Sequence, residues 1–287
     1  MQFVKNNSGG FDICDAGSTV YVSKPLREVR NTRSGDVFIV ATGPSIGKLD
    51  LAPLKGQFFI GMNGAINKFD DYDFKPQYYL VGDDIFAEIT WPIMEKALQA
   101  GGKFFLAPPA FETICRRGAK YLPSLDAHLI FPLDRAPEFI GGGIPNPRKD
   151  PDLEPYPGKR PPIYAPHGWL SYGFSRNLEK GFFRHGSSTD YCMQLAYYLG
   201  FRRMFLLGHD LSFDRHFYPD TEDVARHWPK PGHVEMQLGT AINNDLAASK
   251  LCKDGEIQVF NVNPDSNLPA KIFPKISFGE VLKMKGL

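Results

Sequence analysis

The sequence has few cysteines and no long apolar run. Its 287 residues include four cysteines, at positions 14, 115, 192 and 252, and none of them forms a Cys-x-x-Cys pair. This spacing argues against a zinc site and against a dense disulfide framework, and it favours a reducing cytoplasm. No apolar run approaches the length of a membrane span, and the first ten residues are too polar for a signal peptide. Peripheral contact with the inner face of a membrane stays open.

The chain also lacks an excess of either charge. Lys plus Arg number 33 and Asp plus Glu number 32, which gives a formal net charge of +1. This near balance gives no general attraction to nucleic acid, so we expect no nucleic-acid partner. Aromatic residues, in contrast, make up 13% of the chain, with 23 Phe and 12 Tyr. They suit a wide core and a pocket that holds rings.

Short apolar runs alternate with helical segments along most of the sequence. This alternation is typical of a Rossmann-like, doubly wound α/β fold with a mostly parallel sheet. We predict strands at residues 37–41, 58–63, 77–82, 103–107, 203–208 and 258–262, and helices at 91–100, 187–199 and 236–253. Residues 1–35 read as an N-terminal extension with an edge strand. Residues 36–287 then form a single nucleotide-binding domain.

Two stretches interrupt this pattern. Residues 132–166 hold ten prolines and the triplet Gly141-Gly142-Gly143, which exclude a helix or a central strand. A loop of this length is either functional, as a lid or an acceptor-binding flap, or a flexible insertion. Residues 212–233 are polar and proline-bearing, and we predict a mobile lid there.

The first predicted strand ends abruptly at Thr42-Gly43-Pro44-Ser45. Gly43 is expected to take backbone angles that other residues disfavour and to let a ligand approach the main chain. Ser45 adds a hydroxyl and a candidate helix cap. Such a turn after a strand is a common phosphate or nucleotide site, although it is neither a Walker loop nor a complete G-x-G-x-x-G motif. An ordinary β-to-α turn is the alternative.

Polar residues follow four other predicted strands as well. They are Asn63, Asp83-Asp84, His209-Asp210 and the turn at residues 263–266, which contains Asn263 and Ser266. Because the carboxyl ends of parallel strands share one edge of a sheet, these residues should converge there. The general polarity of loops explains some of them, but not readily all five groups.

Other polar residues are candidates for binding or catalysis. Arg184, followed by His185-Gly186-Ser187-Ser188, opens the helix at 187–199, where an anion is favoured, although either serine can serve only as the N-cap. His233 precedes the 236–253 helix and is a candidate general base, with His216 and His227 as rivals. Asp83 and Asp84 are candidate magnesium ligands, although two adjacent acids are weak evidence.

The order of these segments resembles the bacterial sialyltransferases of glycosyltransferase family 42. The resemblance covers roughly residues 36–270, and its most specific part is the block 196–210, which runs from a helix end through Leu-Gly and a strand to Gly-x-Asp. That family transfers sialic acid from CMP-sialic acid with inversion and without an essential metal. The resemblance therefore implies a GT-A-like fold with a small lid, a CMP-sugar donor, a glycan or glycolipid acceptor, and no other cofactor. A homo-oligomer is also consistent with it.

The resemblance implies a role for each matching residue. His233 matches the general base, Tyr218 matches the phenol that donates to the leaving phosphate, and Arg184 matches an active-site arginine. The residues that match nucleotide-binding positions are Gly43, Pro44, Ser45, Asn63, Ser187, Ser188, Asp210, Asn263 and Ser266.

The sequence departs from the family pattern at several points. Ser212 stands where the family has a second tyrosine, Asp83-Asp84 follow the third strand where asparagine is usual, and the 132–166 insertion is large. Two alternatives therefore stay open. One is a magnesium- and ATP-dependent pyrophosphokinase of the 6-hydroxymethylpterin type, a group related to flagellin-glycosylation accessory proteins, with Asp83 and Asp84 as ligands. The other is an inactive nucleotide-binding module.

Overall fold

The computed structural model describes residues 1–136, 145–159, 168–213, 215–220, 222–226 and 234–287. Its strands are β1 (Gln2–Lys5), β2 (Phe11–Asp15), β3 (Ser18–Val22), β4 (Asp36–Val40), β5 (Phe59–Met62), β6 (Tyr78–Val81), β7 (Lys103–Leu106), β8 (Asp126–Leu129), β9 (Leu153–Pro155), β10 (Gly173–Ser175), β11 (Arg203–Leu207) and β12 (Gln258–Asn261). Its α-helices are α1 (Phe86–Ile89), α2 (Trp91–Ala100), α3 (Pro108–Arg117), α4 (Ser188–Leu199), α5 (Glu222–Ala225), α6 (Val234–Lys253) and α7 (Phe278–Lys285).

Seven strands form one parallel sheet in the order β12-β11-β4-β5-β6-β7-β8. From β4 the chain builds outward in one direction as far as β8, and it then returns to place β11 and β12 on the other side of β4. The predicted doubly wound α/β fold is therefore confirmed. The reversal creates a topological switch point between β4 and β11, which is where open α/β sheets bind ligands.

The strands of this sheet are apolar because both of its faces are covered. Along β4, Val37 and Ile39 pack in the core cluster that includes α4, whereas Phe38 and Val40 pack in a cluster on the opposite face. Phe38 stacks on Phe205 of β11 with ring centroids 5.0 Å apart. Each such buried side chain stabilises the fold by about 1.5–3 kcal/mol, so the centre of the sheet is a rigid support for the loops at its edge.

The structure adds elements that the sequence pattern did not indicate. Strand β8 and helix α3 were not predicted. Helix α3 begins directly at Pro108-Pro109, which is compatible with helix because the first turn needs no N–H donors. At the N-terminus, β1–β3 form a separate antiparallel sheet in which β3 is an edge strand, as expected for this extension. Phe11 and Ile13 anchor it to the core beside β7 and α3.

Only part of the two interrupting stretches belongs to the described residues. In the proline-rich stretch, β9 pairs antiparallel with β10, and residues 137–144 lie outside the description, as do residues 160–167. The lid predicted at 212–233 is described only at 212–213, 215–220 and 222–226. Both predictions about these stretches therefore stay predictions. Within the described ranges, no helix has the length and apolar character needed to cross a membrane.

Candidate functional site

A cavity of about 270 Å³ opens at the switch point of the sheet. It is lined by residues 41–43, 62–63, 83, 187–189 and 208–213, together with Arg215 and His216. These residues follow β4, β5, β6 and β11 or open helix α4, so four strand ends and one helix N-terminus meet there. We call this space the strand-end cavity. The predicted convergence of remote polar residues thus holds for Gly43, Asn63, Asp83, Ser187, Ser188, His209 and Asp210.

The Asp210 carboxylate joins three loops at one wall of the cavity. It accepts hydrogen bonds from the Ser45 main-chain N–H (2.7 Å), the Ser45 hydroxyl and the Asn263 side-chain amide (2.7 Å). These donors belong to the turn after β4 and to the loop after β12, whereas Asp210 follows β11. Asp210 is 7% exposed. Its carboxylate therefore holds the loops together, and the predicted binding residues Ser45 and Asn263 are the groups that it holds.

Gly43 is required here for a different reason from the one expected. Its φ is −64°, an angle open to any residue, so backbone freedom is not the constraint. A Cβ at this position would lie 2.4 Å from the Gly208 carbonyl oxygen and 2.6 Å from Asp210 Oδ2. The Gly43 N–H also donates to the Gly208 carbonyl at 3.0 Å. Gly43 thus lets two strand ends touch. Gly43 also caps the 3₁₀ helix Pro44–Lys48, so the cap expected of Ser45 was wrong.

Asn63 presents an unused acceptor at the cavity. Its φ of 45° lies in the left-handed region that asparagine tolerates better than most residues. The side-chain amide donates to the Ser188 hydroxyl at 3.2 Å, while Oδ1 is buried and has no hydrogen-bond partner. The main-chain carbonyl accepts from the Tyr79 hydroxyl, which fixes the turn. A ligand with an N–H or O–H donor would satisfy the free Oδ1.

The loop after β11 is strained where it borders the cavity. Leu211 and Phe213 each have a φ of 54°, and neither is glycine. Each such backbone conformation costs on the order of 1 kcal/mol or more, and such residues are concentrated at ligand sites. The strain is offset by Ser266, which is 5% exposed and donates to the His209 carbonyl at 2.8 Å. The predicted binding residue Ser266 therefore supports the loop from behind.

Helix α4 begins at the cavity with a cap that uses its own third residue. Ser187 is the N-cap, and its N–H donates to Asp190 Oδ2 at 2.6 Å. The Ser187 side chain takes part in this capping box with Asp190, and its buried hydroxyl makes no further hydrogen bond. The N–H groups of the first helical turn have no acceptor within a helix, and the helix dipole favours negative charge at this end. The helix start can therefore take an anion as well as serve as a structural cap.

Two of the predicted catalytic residues, Arg184 and Tyr218, belong to the described part of the chain, and both lie outside the cavity lining. Arg184 pairs with Asp84 (2.9 Å) and approaches Asp134 (3.6 Å). The Tyr218 hydroxyl lies against the backbone of Gly64, and its ring lines a separate cleft with Gly47 and Lys68. Burial raises the pKa of Tyr218, which keeps its phenol protonated. The catalytic roles of Arg184 and Tyr218 stay predictions.

The histidine predictions have different outcomes. His233 and its rival His227 lie outside the described residues. His216 lines the strand-end cavity and hydrogen-bonds to Asp220.

The proposed magnesium ligands face different partners. Asp83 Oδ1 accepts from the N–H groups of Ile85 and Phe86, while Asp84 pairs with Arg184. Across the described ranges, no three His, Cys, Asp or Glu side chains are grouped as a metal site.

Sequence reasoning missed a buried polar group behind the cavity. Thr189 contacts His209, His209 contacts Asp245 of α6, and Asp245 faces Asp190. All four residues are at most 2% exposed. Burial and the neighbouring Asp245 raise the pKa of Asp190, which favours the protonated form of this carboxyl. One signal was available in the sequence. Helices α4 and α6 each carry an aspartate, Asp190 and Asp245, at a position that the apolar pattern of the helix would bury.

A second, larger cleft is less suited to chemistry. It has a volume of about 620 Å³ and lies beside residues 147–158, Arg176 and Lys250. Both of these cations are committed to neighbouring acids: Arg176 pairs with Glu154 and Glu256, and Lys250 pairs with Glu154 and Asp254. The strand-end cavity is therefore the better candidate site.

No known protein family matches this sequence, and no protein of curated function matches it. Among solved structures, the fold is similar to the sialyltransferase CST-II in complex with a trisaccharide acceptor and CMP, at 17% identity and a TM-score of 0.41, over 83% of this chain and 84% of that one. It is also similar to a mutant of the α-2,3/8-sialyltransferase CstII, at 16% identity and a TM-score of 0.40, over 83% of this chain and 85% of that one. A likeness this distant concerns the fold alone, so the chemistry has to follow from the site itself.

The close approach at Gly43 can be tested by substitution. We expect Gly43→Ala to lower the free energy of unfolding by about 1–3 kcal/mol, because its Cβ would collide with Gly208 and Asp210. Gly47→Ala is a matched control in the same 3₁₀ helix, since its Cβ would meet only Phe217 at an ordinary 3.4 Å. Urea unfolding of both variants is the measurement. Equal stabilities would show that the contact between the strand ends does not constrain position 43.

The protonated carboxyl predicts how stability depends on pH. Because the folded pKa of Asp190 is raised, the native state binds a proton that the unfolded state releases. Its contribution is therefore fully present below the unfolded pKa of about 4 and declines as pH rises toward the folded pKa, by up to about 1.4 kcal/mol per pH unit. Asp190→Asn places an amide where the proton lies. It should therefore change the free energy of unfolding little at low pH, and the stability of this variant should fall less steeply as pH rises.

Asp126→Asn supplies a control of opposite sign. The ion pairs of Asp126 with Lys24 and Lys103 outweigh the effect of burial and lower its pKa, so its stabilisation is lost as pH falls. Denaturant titrations of the two variants and the wild type, from acid to neutral pH, separate these effects. An Asp190→Asn curve parallel to that of the wild type would show that Asp190 is not the group holding the proton.

Proposed function

We propose that this protein is a glycosyltransferase that transfers sialic acid or a related ulosonic acid from a CMP-sugar to a glycan or glycolipid acceptor, with inversion. The observation that carries the proposal is the strand-end cavity, which combines a helix N-terminus with an unused amide oxygen. A phosphate suits the first-turn N–H groups of α4 and the hydroxyls of Ser187 and Ser188. An amino or hydroxyl group of a nucleoside suits Asn63 Oδ1.

The order of motifs along the sequence supports the same function. Asn63, Ser187 and Ser188 line the cavity at positions that match the nucleotide-binding residues of the sialyltransferases. The solved CST-II structure holds CMP and a trisaccharide acceptor, which are the donor product and the acceptor class proposed here. In this scheme the acceptor hydroxyl loses its proton to His233, its oxygen bonds to the anomeric carbon, and CMP leaves with the electron pair of the broken bond. Tyr218 is proposed to donate to the leaving phosphate, with Arg184 beside the site.

A nucleotide panel tests the first step of this function. We expect CMP to raise the melting temperature without added metal. At one hundred times its Kd, CMP should add about 2.7 kcal/mol to the free energy of unfolding. Asn63→Gly should keep the fold, because glycine tolerates a positive φ, and should bind CMP about tenfold more weakly. Stabilisation by ATP only with magnesium would instead indicate the pyrophosphokinase. No effect of any nucleotide would contradict the proposed transferase.

The base can be tested separately from binding. We expect His233→Ala to lower transfer by about 10²–10⁴-fold while CMP affinity is retained, because a general base acts on the acceptor proton and not on the nucleotide. His227→Ala is the matched control from the same stretch and should keep its turnover. Loss of CMP-linked sugar, followed with a set of donors, gives the rate without knowledge of the acceptor. Unchanged turnover in His233→Ala would remove this residue from the mechanism.

A further inference from the structure

Four buried side chains form a continuous polar chain that ends at the strand-end cavity. Thr189 and His209 both line the cavity. The Thr189 hydroxyl lies 3.1 Å from His209 Nδ1, and His209 Nε2 lies 3.3 Å from Asp245 Oδ2. Asp245 is 0% exposed and His209 is 2% exposed. The imidazole is thus held at both nitrogens and connects the hydroxyl of a cavity-lining residue to a carboxyl that solvent does not reach.

The two carboxyls of this chain have unused acceptor atoms. Asp190 Oδ1 and Asp245 Oδ1 are both buried and lack a partner as acceptors. A single proton shared between the two carboxyls satisfies both atoms. Asp190 Oδ2 already accepts from the Ser187 N–H, so its Oδ1 is the oxygen left for that proton. With the proton on Asp190, Asp245 has no donor of its own, and its Oδ2 accepts from His209 Nε2.

This assignment fixes one end of the imidazole and leaves the other free to change. Since Asp245 accepts, His209 Nε2 carries a hydrogen in both charge states of the ring. When the ring is neutral, Nδ1 accepts from the Thr189 hydroxyl, and Thr189 can only accept from a ligand. When the ring is protonated, Nδ1 donates to the Thr189 oxygen, and the Thr189 hydrogen is free for a ligand. One proton on His209 thus reverses the hydrogen-bond polarity of Thr189.

We propose that Thr189 is an anion-binding residue of the cavity, and that His209 is the positioning residue that makes it a donor by taking up a proton from solvent when a phosphate ester binds. The proposal deepens the proposed function and rests on its phosphate-binding step alone. Thr189 lies in the first turn of α4, where the helix dipole favours an anion. The Asp245 carboxyl, with Oδ2 3.3 Å from His209 Nε2, accepts the other N–H of the imidazolium that results.

Other titratable groups line the same cavity and have to be separated from His209. They are Asp83, Asp210, Arg215 and His216. The Asp210 carboxyl accepts from Ser45 and Asn263, and His216 is hydrogen-bonded to Asp220. His128 offers a control outside the site, because it is a buried histidine on β8 that stacks on Phe105.

The test is calorimetric titration of the full chain with CMP and, separately, with inorganic phosphate, in buffers of different ionisation enthalpy at one pH. The wild type should take up protons on binding either anion. His209→Gln retains an N–H for Asp245 and should bind without proton uptake. Thr189→Val should lose both the uptake and about tenfold or more in affinity, and Thr189→Ser should restore both. His128→Gln should behave like the wild type.

The outcomes separate this inference from the proposed function. If phosphate binds with proton uptake but CMP binds no more tightly than phosphate, the inference is supported and the transferase is contradicted. Proton uptake that persists in His209→Gln, or binding of neither anion, overturns the inference. If a variant fails to fold, ¹⁵N NMR of the wild-type imidazole decides. His209 Nδ1 should become protonated when phosphate is added, and an Nδ1 that stays unprotonated overturns the inference.

Discussion

The arrangement of the site depends on the Asp210 carboxylate. It binds the turn after β4 and the loop after β12 to the end of β11, and these are three neighbouring strands of the sheet. Hydrogen bonds to a charged group contribute about 1.5–3 kcal/mol each, so this contact can hold loops that would otherwise separate at the switch point. As a consequence, Ser45 and Asn263 are engaged as its hydrogen-bond partners and do not line the cavity. Asn63 does line the cavity, and its buried Oδ1 has no hydrogen-bond partner.

The buried polar chain of Thr189, His209, Asp245 and Asp190 raises a different physical question, which is how acidic groups are buried at all. An isolated carboxylate in an apolar interior is strongly unfavourable, and two facing each other are worse. Burial beside Asp245 raises the pKa of Asp190, and the imidazole of His209 lies 3.3 Å from Asp245 as its hydrogen-bond partner. The Ser187 N–H gives Asp190 its remaining donor and at the same time caps α4. The helix start and the polar chain therefore meet at Asp190.

The sequence was sufficient for the elements that are buried on both faces. Strands such as β4 and β11 are continuous apolar runs, and their polar ends converge because parallel strands share an edge. Strand β8 was missed because Asp126 and His128 break its apolar pattern, and their compensation by Lys24 and Lys103 is visible only in three dimensions. The sequence also did not show which strand-end residues hold the loops together and which are open to a ligand. Asp210 and Asn63 follow their strands in the same way, and only their partners show that one is saturated and the other is not.

The charges around the cavity also bear on how a ligand would leave it. Arg184 is engaged with Asp84 and Asp134, and so its guanidinium is not among the cavity-lining groups. An anion at the start of α4 meets main-chain N–H groups and the hydroxyls of Ser188 and Thr189. Neutral donors hold an anion less strongly than a bidentate guanidinium does. Arg215 also lines the cavity, so an anion there meets a guanidinium as well as these neutral donors, and release of a nucleotide that gains charge in the reaction has to overcome both.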